Sequence, residues 1–556
     1  MLKTGLLFVF FALAVCDIAI DTTTDARNNA ADDYGHIVSH FPLGVATPQD
    51  ANELSDIVLF ANSARVPIAA VGQAHSVKGQ AQVEDGIVVN MTNINSINVF
   101  ENDNFAWVGA GATWRELLQA TLTFDLTPPV FTDYIDLSIG GTLSVGGVGS
   151  QTFREGLQID NVLALKVMTS DGVVQLCSAT ENSDLYHAVL GGLGQFGIVV
   201  EAQINLVPAY ANTLYVRTLY ADIDDFLADL FVLTNDERFD GVQGFVVAND
   251  AAGLASATGN AFPDLEVPIG DFPWLYMIEG SKYYADGDVP DVQTLIGDLN
   301  HIPEDAVNVL ELTYFEFIAR LDPTEAFLRS IGAWYLPHPW IDVFVPRSES
   351  SSYILNELSL ITSADVNGVI LVYPYLNDPI QALNFPLPDS EEIVLFALLR
   401  TAVPPERALE LSEDNDEIYE RARAVGGTGY SIDAITLEPK EWKKHFGNQR
   451  YKDLKDAKEL YDPNHIFAPS QFVFKDKSKC NNQDDDDDHH YDDNNHNDDD
   501  DHHNGHNDDD DDDDRSDDSD DRSDDSDDRS DDRSDDRSDD SDDSDDSDDR
   551  SDDRSD

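Results

Sequence analysis

Chemistry first shows in this sequence at Gly72-Gln73-Ala74-His75-Ser76, a histidine set among small residues after a short apolar run. A neutral imidazole is both a nucleophile and a proton carrier, and glycine or alanine beside it lets main-chain N–H groups approach an anion closely. Residues 140–149 repeat the theme, with five glycines and the hydroxyls of Thr142 and Ser144 in ten positions. Taken alone, the two runs read as bends as readily as phosphate cradles. Between them lies Asp133, in Thr132-Asp133-Tyr134. Such a carboxylate can accept a proton or stabilise positive charge, although a turn or cap after Pro128-Pro129 is the simpler reading of that residue by itself.

A third glycine run, Gly192-Leu193-Gly194-Gln195-Phe196-Gly197, matches the G-x-G-x-x-G string of dinucleotide-binding folds. That motif works when a strand enters the turn and a helix leaves it, so that the helix N-terminus meets the pyrophosphate. Here a helix over 184–190 precedes the glycines and a strand from Ile198 follows them. The order is reversed, and the match carries no nucleotide site.

The elements that must hold these residues alternate in type. Thr47-Pro48-Gln49-Asp50 predicts a helix start, with Leu54, Ile57, Val58 and Ala61 on one face. Short β-rich runs follow at 68–71, 87–90 and 105–109. Thr113-Trp114-Arg115-Glu116 is a capping-box pattern for a helix through Phe124, and residues 162–177 read as two strands about Asp171-Gly172. Residues 35–208 are therefore expected to form an α+β domain. From 209 to 435, longer amphipathic stretches such as 223–233 and 408–424 mix with β runs at 369–373 and 393–398, which predicts a second domain. Residues 436–475 are too few to fold alone and are expected to return to the first.

Composition narrows the partners. The formal net charge of the 556 residues is −74, of which residues 481–556 hold −34 through 41 Asp and 7 Arg, leaving −40 on the rest. An acidic surface repels nucleic acid and anionic membranes over roughly 10 Å at 0.1 M salt, so neutral or cationic ligands are expected. Lys3, the apolar run 6–15 and the small residues Ala14 and Cys16 read as a signal peptide over residues 1–16, hence a secreted protein. The tail 476–556 has almost no apolar side chains and is expected to be disordered. Its His489, His490, His496, His502, His503 and His506 lie among aspartates without the spacing of a defined metal site, so a solubilising polyanionic tail is the simpler reading, with loose divalent-cation binding as the alternative. Asn90-Met91-Thr92 is a glycosylation triplet, but in an expected buried strand.

Taken in order, the motifs resemble those of cytokinin dehydrogenases. Gly72-x-x-His75-Ser76-x-x-Gly79-Gln80-Ala81, Phe131-Thr132-Asp133-Tyr134, Ile139-Gly140-Gly141-Thr142-Leu143-Ser144 and Leu190-Gly191-Gly192-Leu193-Gly194-Gln195-Phe196-Gly197 carry the likeness. Pro337-His338-Pro339-Trp340, Phe344-Val345-Pro346, Trp442 to Gly447, Tyr461-Asp462-Pro463 and Ala468-Pro469-Ser470-Gln471 continue it, so it spans about residues 35–475. The resemblance implies a two-domain α+β fold of the vanillyl-alcohol-oxidase type, in which an FAD-binding domain is interrupted by a substrate-binding domain. It implies oxidation of the amine of N6-isoprenoid adenines, an imine that hydrolyses to adenine and an aldehyde, and a quinone or O2 as electron acceptor. His75 would carry the flavin covalently and Asp133 would bond to the substrate amine. Flavin contacts would fall on Gly72, Gln73, Ala74, His75, Ser76, Gln80, Asp133, Ser138, Ser144, Val148, Ile198-Val199, Tyr430, Ala468 and Gln471, with Trp340 lining the substrate cavity.

Two departures stand out. Where the family usually reads Gly-Arg-Gly-His-Ser, this chain has Gln73 and Ala74, and where it reads Leu-Ser-Asn-Ala-Gly it has Val145 and Gly146. Ala74 fits only with a negative φ, because a left-handed alanine is strained. Two other functions stay open on the residues: a related covalent-flavin oxidase of a sugar, alcohol or alkaloid, and a secreted acidic binding protein that has lost activity. His338 and His445 are expected to be structural. Cys177, in the expected hairpin, is out of place for a second flavin link.

Overall fold

The computed structural model describes residues 19–259, 261–302 and 306–475. The expected signal peptide, Cys480 and the acidic tail lie outside the described residues.

Three sheets carry the architecture. The first holds Ile20–Asp21, Gly44–Ala46, Ile87–Asn90 and Ile68–Val71 in that order, with the last two junctions parallel. Its strands are separated in sequence by the helix Ala51–Ala64, which buries Leu54, Ile57, Val58, Phe60 and Ala61. The helix starts later than the expected Thr47-Pro48. Asp50 is its cap, and its carboxylate accepts from the N–H groups of Asn52 at 2.8 Å and Glu53 at 3.1 Å, which satisfies two otherwise free donors. The strand Ile20–Asp21 and the helix Thr24–Ala30 also precede the expected domain start at residue 35.

The second sheet is antiparallel, in the order Ile97–Phe100, Phe105–Gly109, Ile198–Asn205, Val162–Met168, Val174–Ser178. Helix Trp114–Thr121 begins with the capping box that Thr113 and Glu116 predict. Helix Ser183–Val189 precedes the Gly191–Gly197 loop and strand Ile198–Asn205 follows it, so the loop has the reversed order that rules out a Rossmann turn. Asn90 closes its strand, its side-chain oxygen accepting from Thr92 N at 3.0 Å and Thr92 Oγ1 at 2.8 Å.

The third sheet has eight antiparallel strands, from Val307–Thr313 at one edge through Asn212–Tyr220, Trp274–Tyr284, Gly241–Ala248, Val369–Leu376, Glu392–Leu399 and Ile341–Pro346 to Thr428–Gly429. Its inner strands are buried along most of their length, because helices Ile223–Asn235, Arg347–Leu360 and Ala408–Ala424 pack on it.

After helices Pro439–Phe446 and Asn448–Tyr461 the chain reaches the first sheet again. Ile68 N donates to Ile466 O at 2.7 Å and Ala468 N to Ile68 O at 2.9 Å. A buried pair, Lys458 Nζ to Asp462 Oδ2 at 2.9 Å, fixes this return, and Lys458 also donates to Gln195 O at 2.7 Å beside the third glycine run. Among the described residues, no helix is long and apolar enough to cross a membrane.

Candidate active site

Every residue that the sequence marks for cofactor or substrate lines one cavity of about 920 Å³: Gly72 to Ser76, Gln80, Asp133, Ser138, Ser144, Val148, Val199, Trp340, Tyr430, Ala468 and Gln471. Residues almost 400 apart in sequence meet there. The reason is local. The strand Ile68–Val71 ends at the first glycine loop, the short helix Ile139–Leu143 opens the second, and the C-terminal return brings Ala468 and Gln471 beside the third.

The glycines make a close main-chain wall. A Cβ on Gly72 would sit 2.0 Å from Ser138 Oγ, and one on Gly149 would sit 1.8 Å from Phe131 O. Gly147 has φ +77°, and its N–H donates to Tyr430 OH at 3.0 Å. Gln80 and Gln471 act as clamps: Gln80 Nε2 donates to Ile432 O and Asp433 O at 3.1 Å, and Gln471 Nε2 donates to Leu193 O at 2.7 Å. Ser144 Oγ donates to Gly140 O at 2.7 Å.

Ala74 departs from expectation. Its φ is +52°, the left-handed conformation that costs an L-residue roughly 1–2 kcal/mol. Leu193, Asn367 and Ala468 share the region at +56°, +45° and +45°, so four non-glycine residues on this cavity are held in the left-handed backbone region. Flanking hydrogen bonds keep Ala74 there, since its carbonyl accepts from Tyr34 N at 2.9 Å.

His75 is half-buried, and desolvation of its ring together with the nearby His338 and Arg329 lowers its pKa to about 3, so the imidazole is neutral. Its ring stacks on Tyr34 with centroids 4.0 Å apart. Asp133 is half-buried and held at both oxygens: Arg320 Nη2 donates to Oδ1 and Tyr373 OH donates to Oδ2. Burial alone would lower the Arg320 guanidinium, but Asp133 together with Tyr215, Glu279 and Tyr373 outweighs it and the group sits above its usual value. Burial and the Asp133 charge push the Tyr373 phenol well up. Arg320 also reaches Gln243 Oε1 at 3.4 Å, and Gln243 Nε2 donates to Glu279 Oε2 at 2.8 Å.

Sequence reasoning missed Arg320, Tyr373, Gln243 and Glu279. They come from other strands and a helix end 110 or more positions from Asp133, so no spacing signals them. It also missed Tyr34 and the buried carboxyls Asp342 and Asp433. Asp342 N donates to Asp433 Oδ1 at 2.8 Å, and burial raises both carboxyls. His338 stacks on Tyr34 and is thereby part of the cavity wall rather than remote from it. His445 is buried near Ser431 and Tyr419. Cys177 is buried in the second sheet, outside the cavity lining.

Known proteins with the same pattern can now be set beside this geometry. Residues 211–474 match the family model described as "Cytokinin dehydrogenase 1, FAD and cytokinin binding", and residues 42–178 match that of an FAD binding domain. Cytokinin dehydrogenase 9 of Oryza sativa subsp. japonica is 34% identical over 467 residues, covering 81% of this chain and 89% of its own. The chain belongs to the cytokinin dehydrogenase family. Cytokinin dehydrogenase 2 of Arabidopsis thaliana is 32% identical over 480 residues, covering 82% of this chain and 94% of its own. An uncharacterized oxidoreductase in the fasciation locus of Rhodococcoides fascians is 34% identical, covering 79% and 95%. The solved structure of 6-hydroxy-D-nicotine oxidase from Arthrobacter nicotinovorans superposes with a TM-score of 0.61 at 21% identity, covering 81% of this chain and 96% of its own. The fold is of the vanillyl-alcohol-oxidase type, and the protein is an FAD-dependent oxidoreductase acting on CH–NH groups.

The residues present fit FAD. The cavity volume suits a dinucleotide, glycines line it where a Cβ would collide, and the buried Trp340 Nε1 has no hydrogen-bond partner among the described residues and can meet a polar atom of a ligand.

Proposed function

We propose that this family member oxidises the secondary amine of N6-isoprenoid adenines, with Asp133 accepting the amine N–H. FAD supplies a two-electron acceptor for the hydride that leaves the carbon next to nitrogen. Nitrogen's lone pair stabilises the cation left behind, and a fixed carboxylate facing it adds to that stabilisation. Arg320 and Tyr373 occupy one lone-pair site on each Asp133 oxygen and lock the side chain, which leaves further acceptor sites for substrate. Water then adds to the imine carbon, and adenine and an aldehyde separate. Trp340 and the aromatic side chains around it supply an apolar wall for a planar base.

The observation that carries this reading is the meeting of an anchored carboxylate with a glycine-lined FAD cavity in a chain of this family. The test is anaerobic mixing of purified holoenzyme with isopentenyladenine, sugars, alcohols and amines. Loss of flavin absorbance with isopentenyladenine, and release of adenine and aldehyde in air, is expected. No bleaching by any N6-alkenyl adenine would reject the substrate class.

We also infer that His75 carries FAD covalently. Such a linkage would join a His75 ring nitrogen to the carbon of a flavin methyl group, the imidazole and the methyl each losing a hydrogen as a proton and the electron pair going to O2 as hydrogen peroxide. A neutral, desolvated imidazole suits the nucleophile's part. The flavin should stay with the polypeptide on acid precipitation. Turnover is proposed to pass electrons to a quinone or O2, and the N-terminal apolar run supports secretion, which detection of the full chain only inside expressing cells would contradict.

A further inference from the structure

The imidazole of His75 has no hydrogen bond to another side chain or main-chain group among the described residues, and it follows a strained alanine. Its ring contacts therefore set its plane. The closest is with Tyr34, which lies between two imidazoles: its centroid is 4.0 Å from His75 at 20° and 4.2 Å from His338 at 4°. Trp334 and Trp340 meet the Tyr34 ring edge-on at 4.9 and 5.2 Å.

The main chain around Tyr34 is tied to the histidine loop on both sides of His75. Tyr34 N donates to Ala74 O at 2.9 Å and Gly35 N to Ser76 O at 3.1 Å. Asp33 Oδ2 accepts from Ser76 Oγ at 3.0 Å and from Gly79 N at 2.7 Å. Gly35 has no room for a side chain, since a Cβ would lie 1.9 Å from Val77 O, and its carbonyl accepts from His338 N at 2.9 Å. Residues 33–35 thus form a strap across the loop that carries His75.

We propose that this strap, through the Tyr34 ring, is a positioning element for covalent attachment of flavin to His75. The proposal rests on the His75 linkage inferred above. Asp33 and Gly35 place the main chain, Tyr34, itself stacked on His338, holds the imidazole in one plane, and the loop keeps the left-handed turn at Ala74 that presents it to the cavity. A bond-forming nitrogen held in the correct plane reacts faster than one free to rotate, and misplacement by about 1 Å can cost 10²-fold. The phenol oxygen has no part in this, so phenylalanine should serve as well.

The experiment compares holoenzyme of wild type, Tyr34→Phe and Tyr34→Leu for total flavin per chain, for the share retained after acid precipitation, and for melting temperature. Tyr34→Leu is expected to bind FAD yet retain about tenfold less after acid in freshly purified protein, while Tyr34→Phe matches wild type in all three readings. Should Tyr34→Leu not fold, as melting would reveal, Tyr34→Met gives the same comparison with a different side-chain shape. Retention equal to wild type in a folded ring-less variant would overturn the role of Tyr34 and leave the linkage standing. Complete release of flavin from wild type would overturn the linkage to His75 itself and this role with it.

Discussion

One wall of the cavity is main chain: Gly72 to Ser76, residues 140–149 and the Gly191–Gly197 loop crowd together with almost no charged side chains. Beside it stands a wall of side chains, where Asp133 is backed by Arg320 and Tyr373 and where Trp340 and Asp342 project from the eight-stranded sheet and its entry. The first wall works by shape, and at Gly72 and Gly147 an added methyl group would collide with a neighbouring side chain. The second works by charge and hydrogen bonding, and its members reach it from distant parts of the chain.

This contrast can be broken at several points. Gly72→Ala places a Cβ against Ser138 and should show the largest loss, with flavin occupancy reduced and stability lower by about 1–3 kcal/mol from overpacking. Adding Ser138→Gly removes the colliding atoms, so the double variant should recover most of both, as read by absorbance and denaturant melts. If the double variant is no better than Gly72→Ala, steric closeness is not what selects glycine at this position.

The side-chain wall should reveal itself through pH. Burial, and for Asp433 also the neighbouring Asp342 charge, raises both carboxyls. The folded protein therefore holds a proton that the unfolded chain, with a usual aspartate value of 3.8, has released. Stability from this source is greatest at low pH and falls as pH rises from 3.8 toward neutrality. Asp342→Asn should flatten melting stability against pH over that window by up to about 1.4 kcal/mol per unit relative to wild type. Parallel profiles for the two proteins would mean that the pair shares no proton.

The smallest effect belongs to Ala74→Gly. It removes the left-handed strain without touching a side-chain contact, and should raise stability by about 1 kcal/mol, less whatever glycine's added freedom costs in the unfolded chain. A loss of stability would show that Ala74 is not strained there.

The same contrast explains what could be read in the sequence. Glycine loops are local, so their motifs announced the main-chain wall, and the capping box at Thr113, the hairpin about Asp171-Gly172 and the reversed order around Gly192 were likewise legible. Asp133 and His75 were legible only because they stand beside such motifs. Arg320 and Tyr373 were not, since nothing in a helix end or a β run over 369–376 marks which side chain will meet a carboxylate 187 or 240 positions away. Tyr34 was missed because the expected domain began one residue after it. The φ of Ala74 was misjudged because local preference was weighed without the strap that overrides it.

The central claim is that Asp133, fixed by its two partners, accepts the substrate amine. Its most direct test is the rate of anaerobic flavin reduction by isopentenyladenine in wild type and in Asp133→Asn, which keeps size and removes charge. A general base or charge stabiliser contributes about 10²–10⁴ in rate, so Asp133→Asn should hold its full complement of FAD yet reduce it slower by that factor. Equal rates of bleaching in the two proteins would contradict the account.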